Sequence, residues 1–304
     1  MNKKQKKIIA IVAAVTAVVI GIIIAVVMVN RGAEEIVEVE ATPEPARRRV
    51  RTPFNIVDID QRPVVRLEPF MGNGRNLRVV LENLPLGADE AEYEIEYTIT
   101  GASARTAGGA TTRVPENEAT EGLQGFIGEL DVTSFPSITE KMLGSCSAGG
   151  ACVHHNGITQ GKVSLMFYGD ENYAVQSVFT YFEEGDIENT TIDGMFTIAA
   201  AGLANAQEFL VMELMGLPAG LPGIVVTRDD DVNANATKAI AYGVWFNSRP
   251  TAIDVVTVTF EDIGDATGLA IWDGEEWTVV EDVEINGNTL TAEVPLAEMF
   301  VLIK

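Results

Sequence analysis

The pattern of apolar and polar positions changes twice along the chain. Residues 1–7, MNKKQKK, are polar and basic. From Ile8 to Val29 there are 22 residues without a charge or a strongly polar group. A helix rising about 1.5 Å per residue crosses the roughly 30 Å hydrocarbon layer in that length. The run is apolar on every side, which does not suit a helix lying on a protein surface. It predicts a transmembrane signal-anchor over 8–30 behind a basic tail, 1–7. Lys3, Lys4, Lys6 and Lys7 precede the run and only Arg31 follows it closely. That bias places the N-terminus in the cytoplasm and the rest outside the cell membrane. A cleaved signal peptide is the alternative. Its apolar core is shorter, about 7–15 residues, and is followed by a small-residue cleavage site that is not seen here. Residues 31–53 then lack any apolar period. They hold an acidic run, the sequence TPEP, and Arg47, Arg48, Arg49 and Arg51. This composition suits a semi-extended stalk.

From residue 54 the pattern is that of strands. LRVVLENL (77–84), YEIEYTIT (93–100), GFIGELDV (125–132), KVSLMFYG (162–169) and AVQSVFTYF (174–182) are short, β-branched and aromatic runs. In one of them Tyr93, Ile95 and Tyr97 alternate with Glu94, Glu96 and Thr98. Alternation of period two means one buried face and one wet face. Turn residues separate the runs. The second half continues with MFTIAAAG (195–202), EFLVMELMGL (208–217), GIVVTRD (223–229), KAIAYGVWF (238–246), AIDVVTVTFED (252–262) and the strands after it. Asp273–Gly274 and Asn286–Gly287 fall between such runs and predict hairpins. The expected fold class is all-β: two antiparallel β-sandwich (Ig-like) domains, 54–190 and 191–304, behind the N-terminal transmembrane helix.

The stretch GLAIWDGEEWTVVEDVEINGNTLTAEVPLAEMFVLIK (268–304) resembles the closing strands of Ig-like or ZU5-like sandwiches of bacterial and archaeal surface proteins. Those read as an apolar strand, an aromatic-D-G-x-x-W turn, a hairpin, N-T-x-T-x-x-V and a final apolar strand. MFTIAAAG and KAIAYGVWFNSRPTAIDVVTVTF are similar to the rest of such a module, so the resemblance covers about the last 110 residues. It implies a cell-surface accessory module and not a catalyst. Residues 54–190 carry no such resemblance.

The net charge is −23, and residues 1–31 hold five cations and no acid, which leaves −28 on the rest. Such a surface repels nucleic acid and anionic lipid. The chain has two cysteines and two histidines, all within GSCSAGGACVHH (144–155). Three chemistries fit those residue types. A zinc site would use Cys146, Cys152, His154 and His155, but structural sites favour C-x₂₋₄-C, and here five residues intervene. Adjacent histidines in a strand also point to opposite faces. A nucleophile would pair Cys146, Cys152 or Ser145 with a histidine and a third, orienting group, and no enzyme signature surrounds them. A disulfide needs only the two cysteines, and an exported segment favours it. The seven-residue ring would contribute about 2.4 kcal/mol by the chain-entropy estimate. Ser147, Gly149 and Gly150 would then form its tip, with His154 and His155 at its base. Two readings of that loop stand: a recognition loop on a rigid scaffold, or a loop that only needed ordering.

TRDDDVNANATK (227–238) places Asp229, Asp231, Asn233 and Asn235 at alternate positions, a set of oxygen ligands that suits calcium. The EF-hand pattern is not met, since Ala234 stands where its glycine would be and Ile240 where its glutamate would be. A solvated acidic turn is the plainer reading. No cofactor is expected, with calcium the alternative and zinc disfavoured. Asn189 and Asn235 also match the glycosylation acceptor pattern. Trp245, Trp272 and Trp277 could stack on sugars, but their place in alternating strands predicts core and rim positions. The expectation is a non-enzymatic binding or structural protein of the cell envelope, with other envelope proteins or glycans as partners. An exported hydrolase and a subunit that self-associates into a homo-oligomer by strand addition are the alternatives.

Overall fold

Several apolar runs of the second half have no polar face, and that decides the architecture. The structure, a computed structural model, describes residues 52–71, 75–100, 104–107, 110–113, 122–148, 152–206, 208–230 and 236–304. The expected tail 1–7, the anchor 8–30 and nearly all of the stalk 31–53 lie outside the described residues. Among the described residues no helix is long and apolar enough to cross a membrane. The described chain is all-β with antiparallel strand pairing, and short 3₁₀ turns lie at Ile59–Gln61 and Ala201–Asn205.

The largest sheet has nine strands. In spatial order they are Trp277–Val280, Gly268–Trp272, Met299–Ile303, Ala241–Phe246, Phe209–Glu213, Tyr173–Phe182, Ile158–Tyr168, Glu90–Ile99 and Gly122–Leu130. A three-stranded sheet holds Val65–Met71, Arg75–Leu81 and Ser137–Met142, and a five-stranded sheet runs Glu188–Thr190, Phe196–Ala199, Val255–Glu261, Thr289–Pro295, Glu284–Asn286. Residues alternate between two hydrophobic cores along the shared strands. Leu210, Met212, Ala241, Met299, Val301 and Ile303 join Leu67, Leu77 and Val79 of the three-stranded sheet in one core. Phe209, Val211, Tyr242, Val244, Phe300 and Leu302 join Phe196, Val258 and Phe260 of the five-stranded sheet in the other. The nine-stranded sheet is therefore a middle layer, with three strands packed on one face and five on the other, the five covering the half formed by Phe209–Glu213, Ala241–Phe246, Met299–Ile303 and Gly268–Trp272.

The boundary expected at 190/191 does not separate two sheets. Tyr173–Phe182 pairs directly with Phe209–Glu213, with Tyr181 opposite Leu210. Residues 51–304 form one compact unit. The physical reason is the double-sided apolarity of Phe209–Glu213 and Met299–Ile303, every residue of which is buried. Such strands need cover on both faces, as the middle layer provides. The half of the sheet formed by Glu90–Ile99 behaves as the alternation predicts: Tyr93, Ile95 and Tyr97 are buried and Glu94 is exposed. Both expected hairpins form, with different loop residues. Trp272 pairs with Trp277 across a four-residue loop whose Asp273 Oδ1 accepts from the amides of Glu275 (2.8 Å) and Glu276 (2.9 Å). Asn286 pairs with Thr289, so Gly287, at φ +64°, opens the tighter turn.

Candidate functional site

The Cys146–Cys152 disulfide is present. The two residues face each other in register, on the strands Gly144–Cys146 and Cys152–His154. These belong to a small four-stranded sheet with Ala104–Ala107 and Ala110–Arg113. Cys146 and Ser147 are exposed, and Gly149 and Gly150 lie outside the described residues. With both sulfurs joined, neither thiol is available as a zinc ligand or a nucleophile. His154 and His155 are buried, 6% and 8% exposed.

The two imidazoles meet different surroundings, His154 at the end of the strand and His155 just past it. His155 Nδ1 lies 2.9 Å from the Tyr97 hydroxyl, and its backbone amide donates to the Leu143 carbonyl at 2.9 Å. Burial pushes the Tyr97 hydroxyl up to about 12. Neither ring nitrogen of His154 has a hydrogen-bond partner. Both imidazoles are held below the usual histidine range. Burial is the main cause for each, followed by the Arg75 guanidinium for His154 and by His154 itself for His155.

Beneath the hairpin lies a network that sequence reasoning did not find. Arg75 Nη1 donates to Glu183 Oε1 at 2.6 Å and to Asn156 Oδ1 at 3.0 Å, and Arg75 Nε donates to Glu208 Oε1. Arg75 Nη1 also reaches the His155 carbonyl at 3.3 Å. The Tyr181 hydroxyl donates to Glu208 Oε2 at 2.8 Å, and the Ile158 amide donates to Glu183 Oε1 at 2.8 Å. Burial raises the Glu183 carboxyl, against the opposing pull of the Ile158 amide and Arg75. Burial also raises the Tyr181 hydroxyl. The cluster is closed on itself, and each named carboxylate oxygen already has a donor. A second such cluster ties Glu213 to Arg228 and, at 3.2 Å, to Lys238. The one sequence signal was a charge at each end of an apolar run, Glu208 and Glu213 around FLVM. A charge so placed has to be paired.

This arrangement fixes a pH dependence. The unfolded chain protonates its histidines near pH 6.5. The folded chain resists, because both imidazoles are depressed. Stability is complete above that pH and is lost as pH falls from about 6.5 towards the folded values. Glu183 acts in the opposite sense at lower pH, since its raised carboxyl takes up a proton more readily in the folded chain. The melting temperature is expected to fall between pH 7 and 5.5. His154→Phe should flatten that slope and leave stability at pH 7 unchanged or higher, because it removes two buried nitrogens without partners. A slope as steep in the variant would remove His154 from the account.

The calcium set is placed only in part. Asp229 is exposed and pairs with Thr237 at the end of the hairpin Thr227–Asp229/Thr237–Ala239. Asp231, Asn233 and Asn235 lie outside the described residues. The neighbouring Asp230 turns inward, where its carboxylate accepts from Asn55 Nδ2 at 2.7 Å. Asn55 also bonds to Gln176 through both the oxygen and the nitrogen of its amide (3.0 and 3.1 Å), and its carbonyl accepts from the fully buried Arg62 at 2.6 Å. Burial lowers the Arg62 guanidinium to about 10, with Asp230 the first of the opposing charges. Trp245 is buried, as its pattern predicts, and Trp272 and Trp277 pack on each other at 5.2 Å.

A cleft of about 680 Å³ is lined by Ile59, Leu84, Leu217, Leu221 and Val225, with Asp60 the one ionisable residue in its lining. No family model matches the chain, and no curated protein or solved structure matches it either.

Proposed function

We propose that the chain is a membrane-anchored, extracytoplasmic protein of the cell envelope that binds or builds and does not catalyse. The observation that carries this is where the ionisable groups lie. Those near the Cys/His hairpin are paired in a partly buried network around Arg75, and the cleft of about 680 Å³ is apolar and holds a single carboxylate. In the cleft beside Arg249 both carboxylates, Glu68 and Glu298, are tied to Arg66. Catalysis needs titratable groups that converge on an accessible space, and binding needs shaped apolar surface. The disulfide supports an oxidising compartment. The apolar run 8–29 behind four lysines supports the anchor. The clamp of Asn55, Arg62 and Asp230 supports a tethered body, because it fixes the segment that follows the stalk. In this reading the two halves are Ig-like sandwiches that share their central sheet, in keeping with the resemblance of the last 110 residues. Partners are other envelope proteins or glycans, and the charge of −28 disfavours nucleic acid.

The test is fractionation of cells that make the full chain, with thiols blocked at lysis. The chain should resist carbonate extraction, keep its N-terminus and show no free thiol. A soluble product beginning near residue 30 would make it a secreted protein, and two free thiols would place it in a reducing compartment.

A further inference from the structure

We propose that the strand Gly122–Leu130 is a self-association edge, which pairs antiparallel with the same strand of a second copy about a two-fold axis at Gly125. This goes beyond the envelope reading and does not depend on it. Among the described residues the strand is the outermost of the nine-stranded sheet, paired on one side with Glu90–Ile99. Along its other side, alternate amides and carbonyls point away from the sheet, and folded proteins usually protect such edges by shortness, proline or charge.

The other sheet edges carry that protection. Trp277–Val280 has four residues, and Glu188–Thr190 and Glu284–Asn286 have three each. Val65–Met71 contains Pro69 with Arg66 and Glu68, and Ser137–Met142 contains Glu140 and Lys141. Gly144–Cys146 and Ala110–Arg113 are short. Gly122–Leu130 has nine residues, GLQGFIGEL, with no proline and no charge before Glu129. Leu123 and Ile127 are 66% and 65% exposed, the two most exposed apolar side chains of the sheet. Four residues apart, they share one face. On that face Leu123 lies beside Thr98, and Ile127 lies beside Glu94. The opposite face is occupied by Phe126, edge-on to Tyr93 and Tyr97 at 6.2 and 6.3 Å.

The second copy is favoured over a foreign strand because residues 122–128 are self-complementary. With Gly125 opposite Gly125, Leu123 meets Ile127 of the partner and Ile127 meets its Leu123. Gln124 meets Phe126, and Gly122 meets Gly128. Each apolar pair thus occurs twice, as an isologous two-fold contact requires. Cross-strand pairs of this kind are the stabilising unit of a sheet. A single strand pair buries less than the roughly 1,200 Å² of ordinary stable interfaces, so the dimer is weak in solution. Both copies are strongly acidic, so association strengthens with salt as the repulsion is screened.

The experiment is a sedimentation series on the full chain in mild detergent, from about 1 µM to 1 mM, with wild type and Ile127→Lys. Ile127 is exposed, so the variant should keep the wild-type melting temperature. Wild type should shift from monomer to dimer, and Ile127→Lys should weaken that shift about tenfold, since the charge enters the interface twice. Register is read by oxidative cross-linking. A mixture of Leu123→Cys and Ile127→Cys chains should cross-link, and either chain alone should not. A monomer throughout the range, a dimer indifferent to Ile127→Lys, or cross-linking by either cysteine variant alone would overturn the proposal.

Discussion

Arg75→Met is expected to destabilise the folded chain by about 3–5 kcal/mol, the usual cost of removing one partner from a buried ion pair. Arg75 is the common donor to Glu183 and Glu208, and the three side chains are 16%, 25% and 8% exposed. Without the guanidinium, two carboxylates remain in a site that also holds the Tyr181 hydroxyl and the Ile158 amide. The loss therefore comes mainly from groups left behind and only in part from the bond removed. Two measurements separate these. Urea unfolding at pH 7 should show the loss, and Arg75→Met combined with Glu208→Gln should recover part of it. If the double variant is as unstable as the sum of its single changes, the three groups do not act as one network. The same substitution should loosen the base of the Cys/His hairpin, because Arg75 also holds the His155 carbonyl and Asn156.

Dividing the chain at 190/191 should leave neither piece able to fold cooperatively, whereas residues 52–304 should unfold in a single transition. Residues 52–190 alone would lose Leu210, Met212, Met299 and Val301 from the shared core, all of them fully or nearly fully buried. At about 1.5–3 kcal/mol for each buried side chain, their sum is comparable with the 5–15 kcal/mol that holds a whole domain. Residues 191–304 alone would lose the three-stranded layer, and one face of Phe209–Glu213 and Met299–Ile303 would be open to water. Urea titration followed by circular dichroism checks both points, with tryptophan fluorescence as the second probe for the long piece and for 191–304, where Trp245, Trp272 and Trp277 all lie. Coincident curves for the long piece and no sigmoidal transition for the short ones are the expected result. A cooperative transition in either short piece would mean that the shared sheet is dispensable to it.

Strand identity was legible wherever one face is wet. The alternation of Tyr93, Ile95 and Tyr97 with glutamates placed Glu90–Ile99 correctly, because solvent on one side imposes period two. The strand Val65–Met71 was missed, since Pro69 and two charges break its pattern and its edge position tolerates them. The disulfide was legible from cysteine count and spacing alone. The network beneath it was not. Arg75 lies 108 residues from Glu183 and 133 from Glu208, and nothing local marks them as partners.

By itself the sequence determined the β class, the hairpins near Gly274 and Gly287, the stapled loop and the burial of Trp245, because each follows from side chains within a few residues of one another. The tertiary structure decided which strands share a sheet, that the two halves hold a middle layer in common, and which charges are buried together. Those outcomes depend on cover supplied by distant segments. A strand that is apolar on both faces states that it must be covered twice, but not by what.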